Sequence, residues 1–209
     1  RQASRNGAQI ALYNPLDWKM HFPTSLDRIA APQRQVAELA SLAAAVARHT
    51  GKELPAHLRA IVDGAEPDDQ QAALAQRLVE AGQGLVLLGQ AALAHPAAAS
   101  LRALAAYLAA ATGCAFNVLT QGGNSRGAWL AGAVPHRGPG GASADPGLNA
   151  SAMLESPLDC YLLWGIEPGF DIDNPARALA TLRAAKHVIA IASYATTGMR
   201  GFAEVILPL

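Results

Sequence analysis

The sequence predicts an α/β fold: a Rossmann-like parallel sheet flanked by helices, with a helical insertion in the first half of the chain. Residues 160–164 (CYLLW), 188–192 (VIAIA) and 203–207 (AEVIL) are short, continuous apolar runs. Such runs lack the polar alternation of half-buried strands and are typical of parallel strands buried on both faces by helices. Residues 175–185 show helical spacing between two of these runs, and residues 85–119 read as a second strand–helix–strand unit.

The first half of the chain adds one further strand and a helical segment. Residues 8–13 read as a strand that is closed by Asn14-Pro15, and residues 15–32 contain three prolines and predict a segment that wraps over the surface. We divide the chain into a mainly helical part, 15–82, and an α/β core, 83–209. The remaining predicted elements are helices at 33–49, 55–63, about 68–81, 97–111 and 148–154, and strands at 85–88 and 114–119.

Composition excludes several classes of function. Sixteen basic and sixteen acidic residues give a formal net charge of zero, so a nucleic-acid partner is not expected. No apolar run approaches the roughly 20 residues that span a bilayer, so direct membrane insertion is not expected. The two cysteines, Cys114 and Cys160, are too few for a metal or iron–sulfur site. We expect both to be buried as small hydrophobic side chains, and a disulfide is the open alternative. The chain begins at Arg1 and ends on a strand at Leu209, so we expect a fragment of a longer protein.

Two kinds of loop are candidate ligand sites. In parallel sheets the carboxyl ends of the strands line the ligand crevice, and Gly165–Pro168 and Ser193–Thr197 follow two predicted strands. The stretch 121–132 (QGGNSRGAWLAG) has the glycine content of an anion-binding loop, but it matches neither the Rossmann nor the P-loop pattern. The alternatives are that Gly165–Pro168 is only a structural turn and that 121–132 is only a structural glycine loop. The six histidines show no metal-ligand spacing, and Asp171 and Asp173 suit helix capping.

The second half of the chain resembles the molybdopterin oxidoreductase superfamily. QGGNSRGAWLAGAVP (121–135) is similar to an N-x-x-G-A-x-x-x-G-x-x-P stretch, and 160–208 is similar to a strand–G-x-[NE]-P–helix–strand–ADVVLP run. Within the superfamily, GLNASAMLESPLDCYLLWGIEP resembles the large iron–sulfur subunit of bacterial NADH-quinone oxidoreductase (respiratory complex I).

This resemblance implies a fold inherited from a cofactor-binding ancestor, with the crevice degenerate. The superfamily's acid corresponds here to Ser193, its second Thr to Met199 and the following Ala to Arg200. Several lost hydrogen-bonding partners argue against a retained ligand. We therefore expect no catalytic residue, no metal and no cofactor in the chain, because the iron–sulfur clusters of that large subunit bind elsewhere. The vestigial crevice comprises Gly122, Gly123, Asn124, Gly127, Gly165, Glu167, Pro168, Ser193 and Thr197.

The same resemblance implies a structural domain of the peripheral arm in the respiratory electron-transport chain. Its partners would be the other peripheral-arm subunits, on the cytoplasmic side of the bacterial inner membrane. Two alternatives remain: a cofactor-binding segment of an active molybdopterin enzyme related to formate dehydrogenase or nitrate reductase, and a stand-alone nucleotide-binding module that uses Gly122–Gly127.

Overall fold

The computed structural model describes residues 1–209 as two compact units, Arg1–Ser125 (unit 1) and Arg126–Leu209 (unit 2). Both units combine helices with small sheets, and every strand pair is parallel. The predicted α/β class with parallel strands flanked by helices is therefore confirmed. No helix has the combination of length and apolar character that crossing a membrane requires.

Unit 1 consists of two separate two-stranded sheets and a layer of helices. β1 (Ala11–Asn14) pairs with β2 (Leu26–Ile29), and β3 (Leu85–Leu88) pairs with β4 (Ala115–Val118). The helices are α1 (Gln2–Arg5), α2 (Pro32–Thr50), α3 (Ala56–Val62), α4 (Asp69–Glu80), α5 (Gln90–Leu93) and α6 (Ala98–Thr112).

The core of unit 1 forms where α2, α4 and α6 pack together. Alanine dominates the buried stripe of α2, and small side chains allow helices to approach closely while each buries little apolar area. Leucines such as Leu58, Leu104 and Leu108 fill the remaining space and are completely buried. α2 ends at Gly51 with a φ of 64°, the left-handed conformation that glycine adopts without steric cost, as the sequence predicts.

A half-buried polar network ties β2 to the helices of unit 1. The Arg28 Nε donates to Glu38 Oε2 on α2 at 2.8 Å, and its Nη1 lies 2.6 Å from Asp68 Oδ2 at the start of α4. Gln71, which is 1% exposed, donates from Nε2 to the Glu38 carboxylate and shares a capping box with Asp68. The network fixes three elements with one guanidinium group.

Unit 2 is a three-stranded sheet with short helices. Its strands are β5 (Cys160–Trp164), β6 (His187–Ala192) and β7 (Val205–Pro208), in the order β5-β6-β7. The helical elements are α7 (Ser125–Leu130), a 3₁₀ turn (Pro139–Gly141), α8 (Ala150–Glu155), α9 (Pro168–Asp171), α10 (Pro175–Ala184) and α11 (Thr197–Arg200).

One face of the unit 2 sheet, which we call the inner face, is covered. Tyr161, Leu163, Val188 and Ala190 pack there against Leu182 of α10. The Tyr161 hydroxyl donates to the Met153 carbonyl at 2.7 Å and accepts the Leu158 N–H at 2.9 Å, which fixes the end of α8. Residues alternate in direction along a strand, so the other side chains of β5 lie on the opposite, outer face.

Two predictions about the strands are wrong. The wrapping segment 15–32 contains β2, because the Arg28 network and pairing with β1 impose a strand that three nearby prolines conceal. The apolar runs of unit 2 do not have both faces covered. Burial alternates strictly along β5, from exposed Cys160 to exposed Trp164, so the apolar residues of the outer face remain open to solvent.

Candidate functional site

The structure places several predicted crevice residues at the carboxyl edge of the unit 2 sheet. Gly165 follows β5 with a φ of 64° and donates its N–H to the Ile191 carbonyl of β6 at 2.8 Å. Ser193 follows β6 at the same edge and is exposed. Gly165 and Ser193 thus end neighbouring parallel strands, where a ligand crevice would form.

The Gly165–Pro168 turn is explained by local structure. Pro168 is buried and occupies the first turn of α9, a position where the missing N–H costs nothing. The Glu167 N–H donates to Asp171 Oδ2 at 2.6 Å, which ties the end of this short helix back to the residue before it. The Glu167 side chain is half-buried. Each of these positions has a role in turning the chain from strand to helix.

The loop after β6 is also built by local contacts. The Thr196 hydroxyl accepts the Met199 N–H at 3.3 Å and caps α11, whereas Thr197 is exposed. Met199 is buried and completes the packing beneath α11, which accounts for an apolar residue at that position. Arg200 is exposed and borders an open depression of about 510 Å³ together with Ala203 and Glu204.

The glycine-rich segment falls across the boundary between the two units. Gly122, Gly123 and Asn124 belong to unit 1 and are exposed, and Gly122 has a φ of 78°. Gly127 lies within α7 in unit 2. The predicted crevice residues therefore divide between the two units rather than sharing one loop.

The outer face of the unit 2 sheet carries a feature that the sequence-based predictions missed. Pairing places Leu162 beside Ile189 and Ile189 beside Val205, and the next row is Trp164, Ile191 and Leu207. Leu162 is 61% exposed and Trp164 is 66% exposed. We call these six residues the outer-face patch. The sequence signal for this patch was the continuous apolar runs, in which the residues between the buried ones are also apolar.

Two exposed aromatic residues follow the carboxyl ends of the strands in the same sheet. Phe170 in α9 is 84% exposed and Tyr194, directly after β6, is 82% exposed. Tyrosine, tryptophan and phenylalanine are enriched in protein–protein interfaces. The carboxyl edge thus has the composition of a docking surface.

Titratable groups meet at the opposite, amino edge of the same sheet. His187 Nδ1 lies 2.9 Å from Glu204 Oε2, and Cys160 is the register partner of His187 on the outer face. A thiol, an imidazole and a carboxylate form the inventory of a nucleophilic site. All three side chains are exposed, however, whereas electrostatic catalysis requires a site that excludes water.

The perturbed acid–base groups lie in unit 1 and have structural causes. Burial raises the pKa of Tyr13 to about 12, and its hydroxyl has no hydrogen-bond partner. The hydrogen bond from the Gln71 backbone lowers the pKa of Asp68, and the Arg28 guanidinium acts in the same direction. The hydrogen bond with Glu38 raises the pKa of Arg28. These groups surround the network that fixes β2.

No group of three or more His, Cys, Asp or Glu side chains is arranged to hold a metal ion. Cys114 is half-buried, with its sulfur 3.8 Å from the Leu78 carbonyl, and Cys160 is exposed; both are free thiols. The prediction that both cysteines are buried is therefore correct in part for Cys114 and wrong for Cys160. That the chain binds no cofactor remains a prediction.

Comparison with known proteins gives a likeness of fold. No family model and no curated protein matches the chain. A solved structure does match, the formyltransferase/hydrolase complex (FhcABCD) from Methylorubrum extorquens in complex with methylofuran. The likeness covers 97% of this chain and 54% of that chain, with 19% sequence identity and a TM-score of 0.56. The chain therefore has the fold of about half of a chain in that complex.

This comparison overturns the resemblance to NADH-quinone oxidoreductase. A structure that shares the fold along nearly the whole chain belongs to a formyltransferase/hydrolase complex, and no family model matches. The matched glycines and prolines serve turns and helix starts, as Gly165 and Pro168 do, so they report local geometry rather than one family. The predicted place in respiratory electron transport is wrong.

The predictions that depended on this resemblance lose their support as well. The peripheral-arm subunits are not supported as partners, since the matching chain belongs to a different assembly. Attachment to a membrane-bound complex has no other support. The two alternative functions, an active molybdopterin enzyme and a nucleotide-binding module on Gly122–Gly127, also gain none. Of the glycines of the second alternative, Gly122 and Gly123 precede α7, a helix of six residues, and Gly127 lies within it.

Proposed function

We propose that this chain is a scaffold segment of a multi-subunit formyl-transfer complex of the formyltransferase/hydrolase kind. The observation that carries this proposal is the fold likeness to a chain of such a complex over 97% of the chain. The matched protein was solved with methylofuran bound, so a one-carbon carrier of that chemistry is the substrate class we propose for the assembly.

The distribution of side chains supports a scaffold role rather than a catalytic one. The most reactive combination in unit 2, Cys160 with His187 and Glu204, lies on an exposed sheet edge. Formyl transfer needs donors that stabilise the developing oxyanion in a site shielded from water. The reacting groups would then come from other subunits, while this chain holds them in place.

The open sheet face supports assembly with other chains. Soluble proteins rarely leave apolar patches larger than a few hundred square ångströms uncovered, and such patches mark interaction sites. The outer-face patch forms such a surface, and Phe170 and Tyr194 add exposed aromatic side chains after the carboxyl ends of β5 and β6. A formal net charge of zero also gives no electrostatic barrier to association.

The test is to purify the chain through an affinity tag from cells that express it naturally. We expect it to elute in a complex with other subunits and the pool to transfer formyl groups to or from methylofuran. The recombinant chain alone should bind no methylofuran by calorimetry and show no transfer. A monomer in the native pool, or full activity in the recombinant chain, would contradict the proposal.

A further inference from the structure

Residues 89–97, which we call the strap, connect β3 to α6 at the carboxyl edge of the β3–β4 sheet. The strap contains no Asp, Glu, Lys or Arg, and no residue of its helix α5 is buried. Its backbone hydrogen bonds are local, from Leu93 to Gly89 and from Ala94 to Gln90. Segments with few buried contacts open at a low cost in free energy. The closed strap therefore depends on the bonds that tie it to other elements.

Two side chains tie the strap to other parts of unit 1. Gln90 Nε2 donates to the Leu119 carbonyl, directly after β4, at 2.8 Å. His95 Nε2 lies 2.8 Å from the Pro32 carbonyl in the first turn of α2. The Ala97 N–H, at the N-terminal cap of α6, donates to His95 Nδ1 at 2.9 Å. The imidazole ring of His95 thus joins the starts of two long helices.

These two partners fix the tautomer of the His95 ring. A backbone N–H can only donate, so Nδ1 is the unprotonated acceptor of the Ala97 N–H. A carbonyl can only accept, so Nε2 carries the proton and donates it to Pro32. A second proton, on Nδ1, would place two donors against each other and remove the acceptor of Ala97. The imidazolium form is therefore incompatible with both bonds at once.

The charges on the elements around the ring offer no counter-ion for an imidazolium. Both helices present their N-termini to the ring, and a helix N-terminus carries partial positive charge. The charged residues in the first half of α2 are Arg34, which is exposed, and Glu38, which is paired with Arg28. The charged residue of α6 is Arg102, which is exposed, and α5 has none. A protonated ring would therefore meet positive charge at the starts of both helices.

We propose that His95 is a pH-sensitive latch: the neutral ring holds the strap closed, and the protonated ring releases it from the starts of α2 and α6. Histidine side chains ordinarily change charge between pH 5 and 8, so the latch should respond in that interval. Release frees the segment that follows β3 at the carboxyl edge, where open α/β sheets bind their ligands. This device goes beyond the proposed function and does not depend on it, because all of its groups belong to unit 1.

Nitrogen-15 NMR of the full chain tests the state of the ring. At pH 8 we expect the Nδ1 resonance of His95 at the position of an unprotonated ring nitrogen and the Nε2 resonance at that of a protonated one. His57, which is exposed on α3, is the internal reference and should show signals averaged over both tautomers. Averaged signals for His95, or a proton on its Nδ1 at this pH, would overturn the proposal.

Hydrogen exchange of the same chain tests the release. The protection factor of the Ala97 amide should fall about tenfold or more between pH 7.5 and pH 5.5, because its acceptor is lost. The protection factor of the Leu104 amide, inside α6, should stay within about twofold over this interval. An Ala97 protection factor that does not change with pH would contradict the release.

Two variants separate His95 from the other titrating groups. His95→Gln keeps a hydrogen-bonding side chain that does not titrate, so the pH dependence of Ala97 protection should disappear. His57→Gln, the matched control at an exposed position, should keep the native pH dependence. If His95→Gln also keeps it, another group controls the strap and the proposal is wrong. If His95→Gln does not fold, the ring resonances and the Ala97 protection of the native chain decide the question.

Discussion

Units 1 and 2 bury apolar side chains between their helices and sheets to different extents. Both place helices on one side of small parallel sheets, but the core cluster of unit 1 has fourteen buried side chains and that of unit 2 has five. Unit 1 also has a charged network that fixes β2 against two helices. Unit 2 has a wider sheet whose outer face is apolar and open. Unit 2 therefore has the smaller core and the wider open apolar face, although β3 of unit 1 also leaves Leu85 and Leu87 exposed.

The largest expected effect comes from removing core volume. Leu182→Ala in unit 2 and Leu104→Ala in unit 1 should each lower the free energy of unfolding by roughly 2–5 kcal/mol. Because unit 2 has so few buried side chains, Leu182→Ala should remove hydrogen-exchange protection from β5 and β6 entirely. Leu104→Ala should leave partial protection in α2. Equal residual protection in both units would contradict the comparison.

The second prediction concerns the network of unit 1. Arg28→Ala leaves the half-buried Glu38 carboxylate and the exposed Asp68 carboxylate without their cation and should cost about 2–3 kcal/mol in chemical denaturation. Arg59 is the matched control, since it lies 3.6 Å from Glu53 with both side chains largely exposed. Arg59→Ala should change stability by less than about 0.5 kcal/mol. A similar loss in both variants would show that the network does not fix β2.

The sequence predicts the longer helices and most strands of both units but not the helices of four to six residues at α1, α5, α7, α9 and α11, and the reasons are local. Gly51 and Gly113 end their helices in left-handed conformations, and Asp68 starts α4 with a capping box, as composition indicates. β2 could not be predicted from the sequence, because Arg28 contacts Glu38 and Asp68 only in the folded chain. Local propensity cannot report a contact between distant residues.

The candidate site could be predicted only in part. The sequence correctly places Gly165 and Ser193 at the ends of neighbouring strands, because short apolar runs define where strands stop. It cannot show that the outer face of those strands is open, since an apolar run looks the same with or without a covering layer. The family assignment failed for a related reason: glycine and proline at turns are shared by unrelated sheets of this type.

The third prediction uses the buried hydroxyl of unit 1. Because burial raises the pKa of Tyr13 to about 12 from 10.0, the folded state keeps its proton at a pH where the unfolded state releases it. The contribution of Tyr13 to the free energy of unfolding is fully present below pH 10 and is lost as the pH rises towards 12. The free energy of unfolding should fall by roughly 2–3 kcal/mol over that interval.

Tyr13→Phe isolates this contribution. The variant removes a hydroxyl that has no partner, so at neutral pH its stability should stay within about 1 kcal/mol of the native chain or rise slightly. Above pH 10 it should lose less stability than the native chain in urea denaturation. Tyr194→Phe, at an exposed position, should keep the native pH dependence. Identical alkaline profiles for both variants would refute the role of Tyr13.

The smallest expected effect distinguishes the two faces of one strand. Leu162 is 61% exposed and its neighbour Leu163 is 7% exposed, although both belong to β5. In the isolated chain, Leu162→Thr should change the free energy of unfolding by less than about 1 kcal/mol, because threonine suits a strand and no core contact is lost. Leu163→Thr should cost about 2–4 kcal/mol, since it leaves a cavity and buries a hydroxyl among apolar side chains. Urea denaturation of the two variants measures the difference directly. Equal losses would mean that the outer face of β5 is not open to solvent, and the contrast between the two faces of the unit 2 sheet would then disappear.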